Sequence, residues 1–162
     1  MTVRTTIRRA SQADAATLCA AEKATALTPG LLVSQPHELQ VEAFEQKIAL
    51  LEQDGLYLVA EHEGTPIGHA FLEPMTLIAL SHVFSLTIVV HPGHLERGVG
   101  TALMTELMAW AESHPRIEKI ELRVRATNAR AIALYKRFGF LEEGRFERRI
   151  RLPDGSYIAD LS

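Results

Sequence analysis

The segment Val89-Val90-His91-Pro92-Gly93-His94-Leu95-Glu96-Arg97-Gly98-Val99-Gly100 constrains this chain more than any other. It runs from a β-branched strand through a Pro-Gly turn into a helix whose apolar positions Val99, Leu103, Leu107, Trp110 and Ala111 share one face. The first amides of such a helix lack intrahelical partners and carry the positive end of its dipole. Glycines there let a ligand reach the backbone, so a pyrophosphate can accept several N–H bonds at once, with Arg97 adding a charged contact. No Gly-Lys-Ser/Thr follows, so this is not a P-loop. The third glycine of a dinucleotide fingerprint is also missing, and the flanking strand is not the first of a βαβ unit.

Around this segment the hydrophobic pattern predicts a strand over 3–9 and then a helix with Ser11 as N-cap, Asp14 reaching back, ending near 24. Thr28-Pro29-Gly30 to Pro36 breaks regular structure, and Leu39, Phe44, Ile48 and Leu51 place a second helix over 37–53. Strands at 56–61 and 65–73 are joined through Glu63-Gly64, and a further strand covers 82–90. Next come a strand at 117–124, a helix at 128–138 closed by Gly139, and strands at 140–152 and 156–161 around Pro153-Asp154-Gly155. The order β-α-α-β-β-β-α-β-α-β-β, with both hairpins and crossovers, indicates an α+β fold: a mixed, mostly antiparallel sheet flanked by helices.

A length of 162 residues with 47% hydrophobic content suffices for one core, and no repeat or linker divides it, so a single domain over 1–162 is expected. No apolar run reaches membrane-spanning length, and the stretch 1–9 lacks the apolar centre of a signal peptide, which makes the cytoplasm the expected location. A formal charge of −3 without a basic stripe argues against a nucleic-acid partner. Cys19, the one cysteine, lies in an apolar helical run and reads as a buried side chain. His91, His94 and His114 lack metal-site spacing, so no metal is expected.

The glycine turn together with Asn128-Ala129-Arg130-Ala131-Ile132-Ala133-Leu134-Tyr135-Lys136-Arg137-Phe138-Gly139-Phe140 resembles the GNAT N-acetyltransferase superfamily. Asn, a small residue, Leu-Tyr and the closing Phe-Gly-Phe match that family's pattern, and the resemblance extends over nearly the whole chain. It implies acetyl-CoA as co-substrate, transfer to a primary amine, and a GNAT-like acyltransferase fold. On this resemblance Ile88, Val89 and Val90 would pair with the pantetheine arm, and Leu95, Glu96, Arg97, Gly98, Val99 and Gly100 would donate amides to the pyrophosphate. Asn128 would bond the cofactor arm or a water near it, and Tyr135 would protonate the leaving thiolate. A strand amide near Val89 is the expected oxyanion donor. The family usually has Gln or Arg where Leu95 stands and often Gly where Glu96 stands.

The family often places a general base five residues before the Asn, where this chain has Arg123. Glu121, expected on the same strand face, and His82 are the candidate bases, with Glu73 behind them. Loss of the amine proton to water is the remaining reading. The acceptor site is expected between 30–37, the strand at 82–87 and the C-terminal hairpin. Ser81-His82-Val83 and Leu152-Pro153-Asp154-Gly155-Ser156-Tyr157 resemble bacterial members that acetylate amino acids or small amines, with ribosomal-protein N-terminal acetyltransferases as neighbours. A CoA-binding module without catalysis is the reading from a different class. A free edge on the last strand would admit a homodimer.

Overall fold

The computed structural model describes residues 4–162; Val3, placed in the first strand above, lies outside the described residues. Strands β1 (Thr6–Arg9), β2 (Leu56–His62), β3 (Thr65–Pro74), β4 (Val83–Val90) and β5 (Lys119–Glu121) form one sheet in the order β1-β2-β3-β4-β5. Every pair is antiparallel except β4–β5, which is parallel. A second sheet has the order β6 (Val124–Arg125), β8 (Tyr157–Leu161), β7 (Arg145–Arg151). The expected α+β architecture is therefore present, with the sheet divided in two.

The first sheet is buried on both faces, which is why β2 is an unbroken apolar run. Leu56, Leu58 and Ala60 join Phe84, Leu103, Leu107 and Tyr135 beneath α3 (Val99–Ser113) and α4 (Ala129–Arg137). The alternate residues Tyr57 and Val59 join Leu18, Phe44 and Ile48 beneath α1 (Ala15–Ala26) and α2 (Val41–Gln53). Each face contributes on the order of 25 cal/mol per Å² of apolar area removed from water. Close seating of α3 depends on Gly68: a Cβ there would lie 2.8 Å from Val99 Cγ1 and 3.2 Å from Leu103 Cδ1.

Local signals behave as their chemistry dictates. Ser11 N–H donates to Asp14 Oδ2 at 2.8 Å, although the first turn, Gln12–Asp14, is 3₁₀ and α1 begins after it. Arg8 grips the same carboxylate through two nitrogens, both at 2.8 Å, and holds it below the usual carboxylate range. Glu63 and Gly64 both take positive φ (50° and 81°), the geometry of a tight hairpin turn.

Three expected elements differ. The helix expected over 37–53 is a 3₁₀ turn, Pro36–Glu38, followed by α2, because Leu39 and Gln40 are extended. The strand expected over 140–152 begins only at Arg145. The strand expected over 117–124 is interrupted at Leu122 and Arg123 and passes from one sheet to the other. The last strand, moreover, has no free edge: β8 lies between β6 and β7. β7 is the exposed edge, carrying Arg145, Arg148, Arg149 and Arg151, charges that oppose edge-to-edge pairing.

Candidate active site

The break at Leu122–Arg123 makes a cleft. β4 pairs with β5 only from Val83 to Ser85, after which the chain beyond Glu121 leaves for the second sheet. Along its other edge β4 pairs with β3 as far as Val90. Val83 accepts from Met75 and His91 donates to Ile67, so the odd-numbered residues of β4 spend their peptide groups on β3. The N–H and C=O groups of Leu86, Ile88 and Val90 therefore face the cleft. Val89 turns its amide to His69, so the strand donors near it that face the cleft are those of Ile88 and Val90.

The cleft has a volume of about 390 Å³ and is walled by β4, the start of α3, α4, and Leu31 and Leu32 after α1. Of the residues singled out in the sequence, Ile88, Val89, Val90, Leu95, Glu96, Gly98, Val99, Gly100, Asn128 and Tyr135 line it. Arg97 is exposed on the turn outside the lining; the cations that line this end are Arg130 and Arg137 of α4. Arg137 donates to Thr101 Oγ1 at 3.0 Å, and Arg130 reaches Glu96 Oε1 at 3.1 Å. Glu96 thus turns its carboxylate towards Arg130. Its φ of 60° is left-handed, which accounts for glycine being usual at this place in the family.

Gly98 caps α3 with φ of 81°. Gly100 has a second reason to be glycine, because a Cβ there would meet Leu134 Cδ2 at 3.0 Å. One missing side chain therefore opens the helix start and lets α4 lie against it. Asn128 caps α4, its Oδ1 accepting from Ala131 N–H at 3.2 Å.

The Phe-Gly-Phe end of α4 positions Tyr135. Phe140 N–H donates to Tyr135 C=O and Gly139 N–H to Lys136 C=O, both at 3.1 Å, with Gly139 at φ of 88°. This is the Schellman arrangement, and its accompanying apolar contact is Phe140 on the Tyr135 ring, 5.9 Å between centroids. The hydroxyl makes no hydrogen bond among the described residues. Burial pushes the phenol up to about 12, against the opposing charge of Arg125, so it holds its proton at neutral pH.

The candidate bases are not brought to this cleft. His82 precedes β4 and accepts from the amides of Glu118 and Lys119 through its carbonyl. It lies about 16 Å along the strand from Thr87, at five residue steps. Glu121 faces a second groove between α3 and α4, because the break reverses the alternation that would have put it beside Arg123; Arg123 lines the cleft. Glu73 is ion-paired with Lys47.

Three side chains that no sequence pattern links form a largely buried chain. His69 Nε2 lies 2.8 Å from Glu22 Oε1, His69 Nδ1 lies 2.7 Å from His91 Nε2, and His91 Nδ1 lies 3.3 Å from Pro66 C=O. Burial, then the charge of His69, lowers His91 to about 4, keeping it neutral. The chain ties α1 to the residue from which the glycine turn departs. Its three members are far apart in sequence and no periodicity links them.

Comparison with known proteins agrees with this geometry. Residues 22–140 match the model of the acetyltransferase (GNAT) family. Over 101 residues the chain is 36% identical to the L-amino acid N-acetyltransferase AaaT of Escherichia coli (strain K12), a match covering 62% of each protein. It thus spans about three fifths of that relative's length. A GNAT-family acetyltransferase structure from Streptococcus pneumoniae superposes with a TM-score of 0.89 at 25% identity, covering 98% of this chain and 96% of that one. The ribosomal-protein-alanine N-acetyltransferase from Brucella melitensis superposes at 0.86 with 25% identity, covering 96% of each.

Proposed function

Because the chain belongs to the GNAT acetyltransferase family, we propose that it transfers the acetyl group of acetyl-CoA to the primary amine of a small molecule such as an amino acid. The observation that carries this reading is the unpaired β4 edge, with the glycine turn at one end and Tyr135 lining the same cleft. The extended arm of the cofactor matches an edge that offers alternate donors and acceptors at Leu86, Ile88 and Val90. The amides of the turn through Gly100, helped by Arg130 and Arg137, suit its phosphates. The apolar walls at Leu31, Leu32 and Leu134 exclude water from the arm.

The bound thioester supplies an activated acyl carbon. The chain's own contribution is placement, and Leu86 or Ile88 N–H is set to hold the acetyl oxygen as charge develops there. As the nitrogen–carbon bond forms and the carbon–sulfur bond breaks, Tyr135 gives its proton to the departing sulfur. The amine's proton leaves to water and restores the phenol, because neither His82 nor Glu121 lines the cleft. A protein N-terminus as acceptor is the second reading, favoured by the likeness to the Brucella melitensis enzyme.

The test is release of free thiol from acetyl-CoA across a panel of amino acids, simple amines and peptides. Turnover with small amines supports the proposal and turnover with peptides alone selects the second reading. Acetyl-CoA binding with no acceptor modified by any of them overturns both.

A further inference from the structure

Four arginines line the cleft, and three are engaged. Arg130 pairs with Glu96, Arg137 bonds Thr101, and Arg125 Nε lies 2.9 Å from Asp160 Oδ1 in a pair that is almost fully buried. Arg123 alone makes no hydrogen bond or ion pair among the described residues. It is nevertheless held in place: its guanidinium carbon lies 4.5 Å from the centre of the Phe146 ring, which also carries Arg149 at 5.1 Å. Arg149 in turn is fixed by Asp160 Oδ2 at 3.5 Å. A cation over a ring face spends no N–H on a hydrogen-bond acceptor, so the Phe146 contact leaves the five donors of Arg123 available.

Position decides what those donors are for. The free edge of β4 from Leu86 to Val90 is about 13 Å long, at four residue steps. Arg130 and Arg137 stand at the Val90 end, beside the glycine turn. Arg123 stands at the other, where β4 and β5 part after Ser85 and Glu121. It stands at the opposite end of that edge from the turn and its two cations, and Leu31 and Leu32 give the same cleft an apolar wall.

We infer that Arg123 binds the carboxylate of the acceptor, which makes the favoured acceptor a free α-amino acid with an apolar side chain. The inference rests on the acyl-transfer reading above. A free amino acid carries its carboxylate two bonds from the reacting nitrogen, whereas a peptide N-terminus offers an uncharged amide at that place. The planar fork of Arg123 matches a carboxylate through two parallel bonds.

The experiment compares leucine, leucinamide and isopentylamine as acceptors in the wild type, Arg123→Met, Arg123→Lys and Phe146→Leu. Arg123→Met is expected to lower kcat/KM for leucine relative to each uncharged acceptor by about ten- to a hundredfold. Arg123→Lys restores part of that ratio, and Phe146→Leu, which keeps the cation but removes its platform, loses part of it. An unchanged leucine-to-leucinamide ratio in Arg123→Met overturns the inference, as does equal loss for all three acceptors in variants that melt like the wild type. If the wild type acetylates none of them, the small-amine reading falls separately. Calorimetric preference of the CoA-saturated protein for N-acetylleucine over N-isopentylacetamide, lost in Arg123→Met, then still decides whether Arg123 reads a carboxylate.

Discussion

Replacing Glu96 separates two effects that the wild-type turn combines. A side chain at φ of 60° costs about 1–2 kcal/mol relative to a right-handed residue, of which glycine's larger unfolded-state entropy returns about 0.5–1. Glu96→Gly and Glu96→Ala both remove the carboxylate, but only glycine relieves the backbone. Their difference in stability should therefore be about 1 kcal/mol. For 162 residues the unfolding entropy is about 0.34 kcal/mol/K, so the glycine variant should melt about 3 °C above the alanine variant. The ion pair lost in both joins exposed side chains and is worth at most about 1 kcal/mol, equally in each variant. Both variants also release Arg130 towards the phosphates. One added charge-assisted bond at this open site, about 1 kcal/mol, should tighten acetyl-CoA about fivefold in each, and less at high salt. Differential scanning fluorimetry and isothermal calorimetry measure the two quantities. Equal melting of the glycine and alanine variants would refute the strained turn, and unchanged affinity in both would refute the placement of the phosphates there.

Three further outcomes are expected. Tyr135→Phe should cut kcat by tenfold or more while acetyl-CoA affinity changes less than twofold, and an equal loss in both refutes its role as acid. Gly68→Ala drives a Cβ to 2.8 Å from Val99 and should cost about 1–3 kcal/mol in chemical denaturation with a weakened cofactor site; a neutral result refutes the close seating of α3. His91 takes a proton near pH 6.5 when unfolded and near 4 when folded, so the stability from its neutral burial is intact above 6.5 and drains as pH falls towards 4, by up to about 3 kcal/mol. Urea melts of the wild type and His91→Phe across that window should diverge, and parallel curves refute the assignment.

What was legible in the sequence is what is encoded locally. Gly98 and Gly139 are demanded by positive φ, Asn128 by the open end of α4, and Tyr135 by its spacing from Phe-Gly-Phe. Each signal occupies less than two helical turns. The break at Leu122–Arg123 carries no Gly or Pro: a strand-like run leaves one sheet because β8 offers Val124 and Arg125 a better partner. That distant competition reverses the faces of Glu121 and Arg123, so strand alternation alone places Glu121 on the wrong side. His69 was invisible for a related reason. It reads as one more alternating position on β3, and its meaning comes from Glu22 and His91 on other elements.

The unpaired edge of β4 has a consequence for the molecule as a whole. β4 and β5 pair over only three residues before the chain crosses to the second sheet, and beyond that seam the backbone groups of Leu86, Ile88 and Val90 are without a strand partner. A cofactor arm lying there would complete the hydrogen-bond ladder of a chain that stops short of completing it. On the proposed reading, acetyl-CoA is then a non-covalent strand as well as a reagent, and loading it is a late stage of folding. Release of product would reopen the seam, so each turnover would loosen and reset the junction between the two sheets.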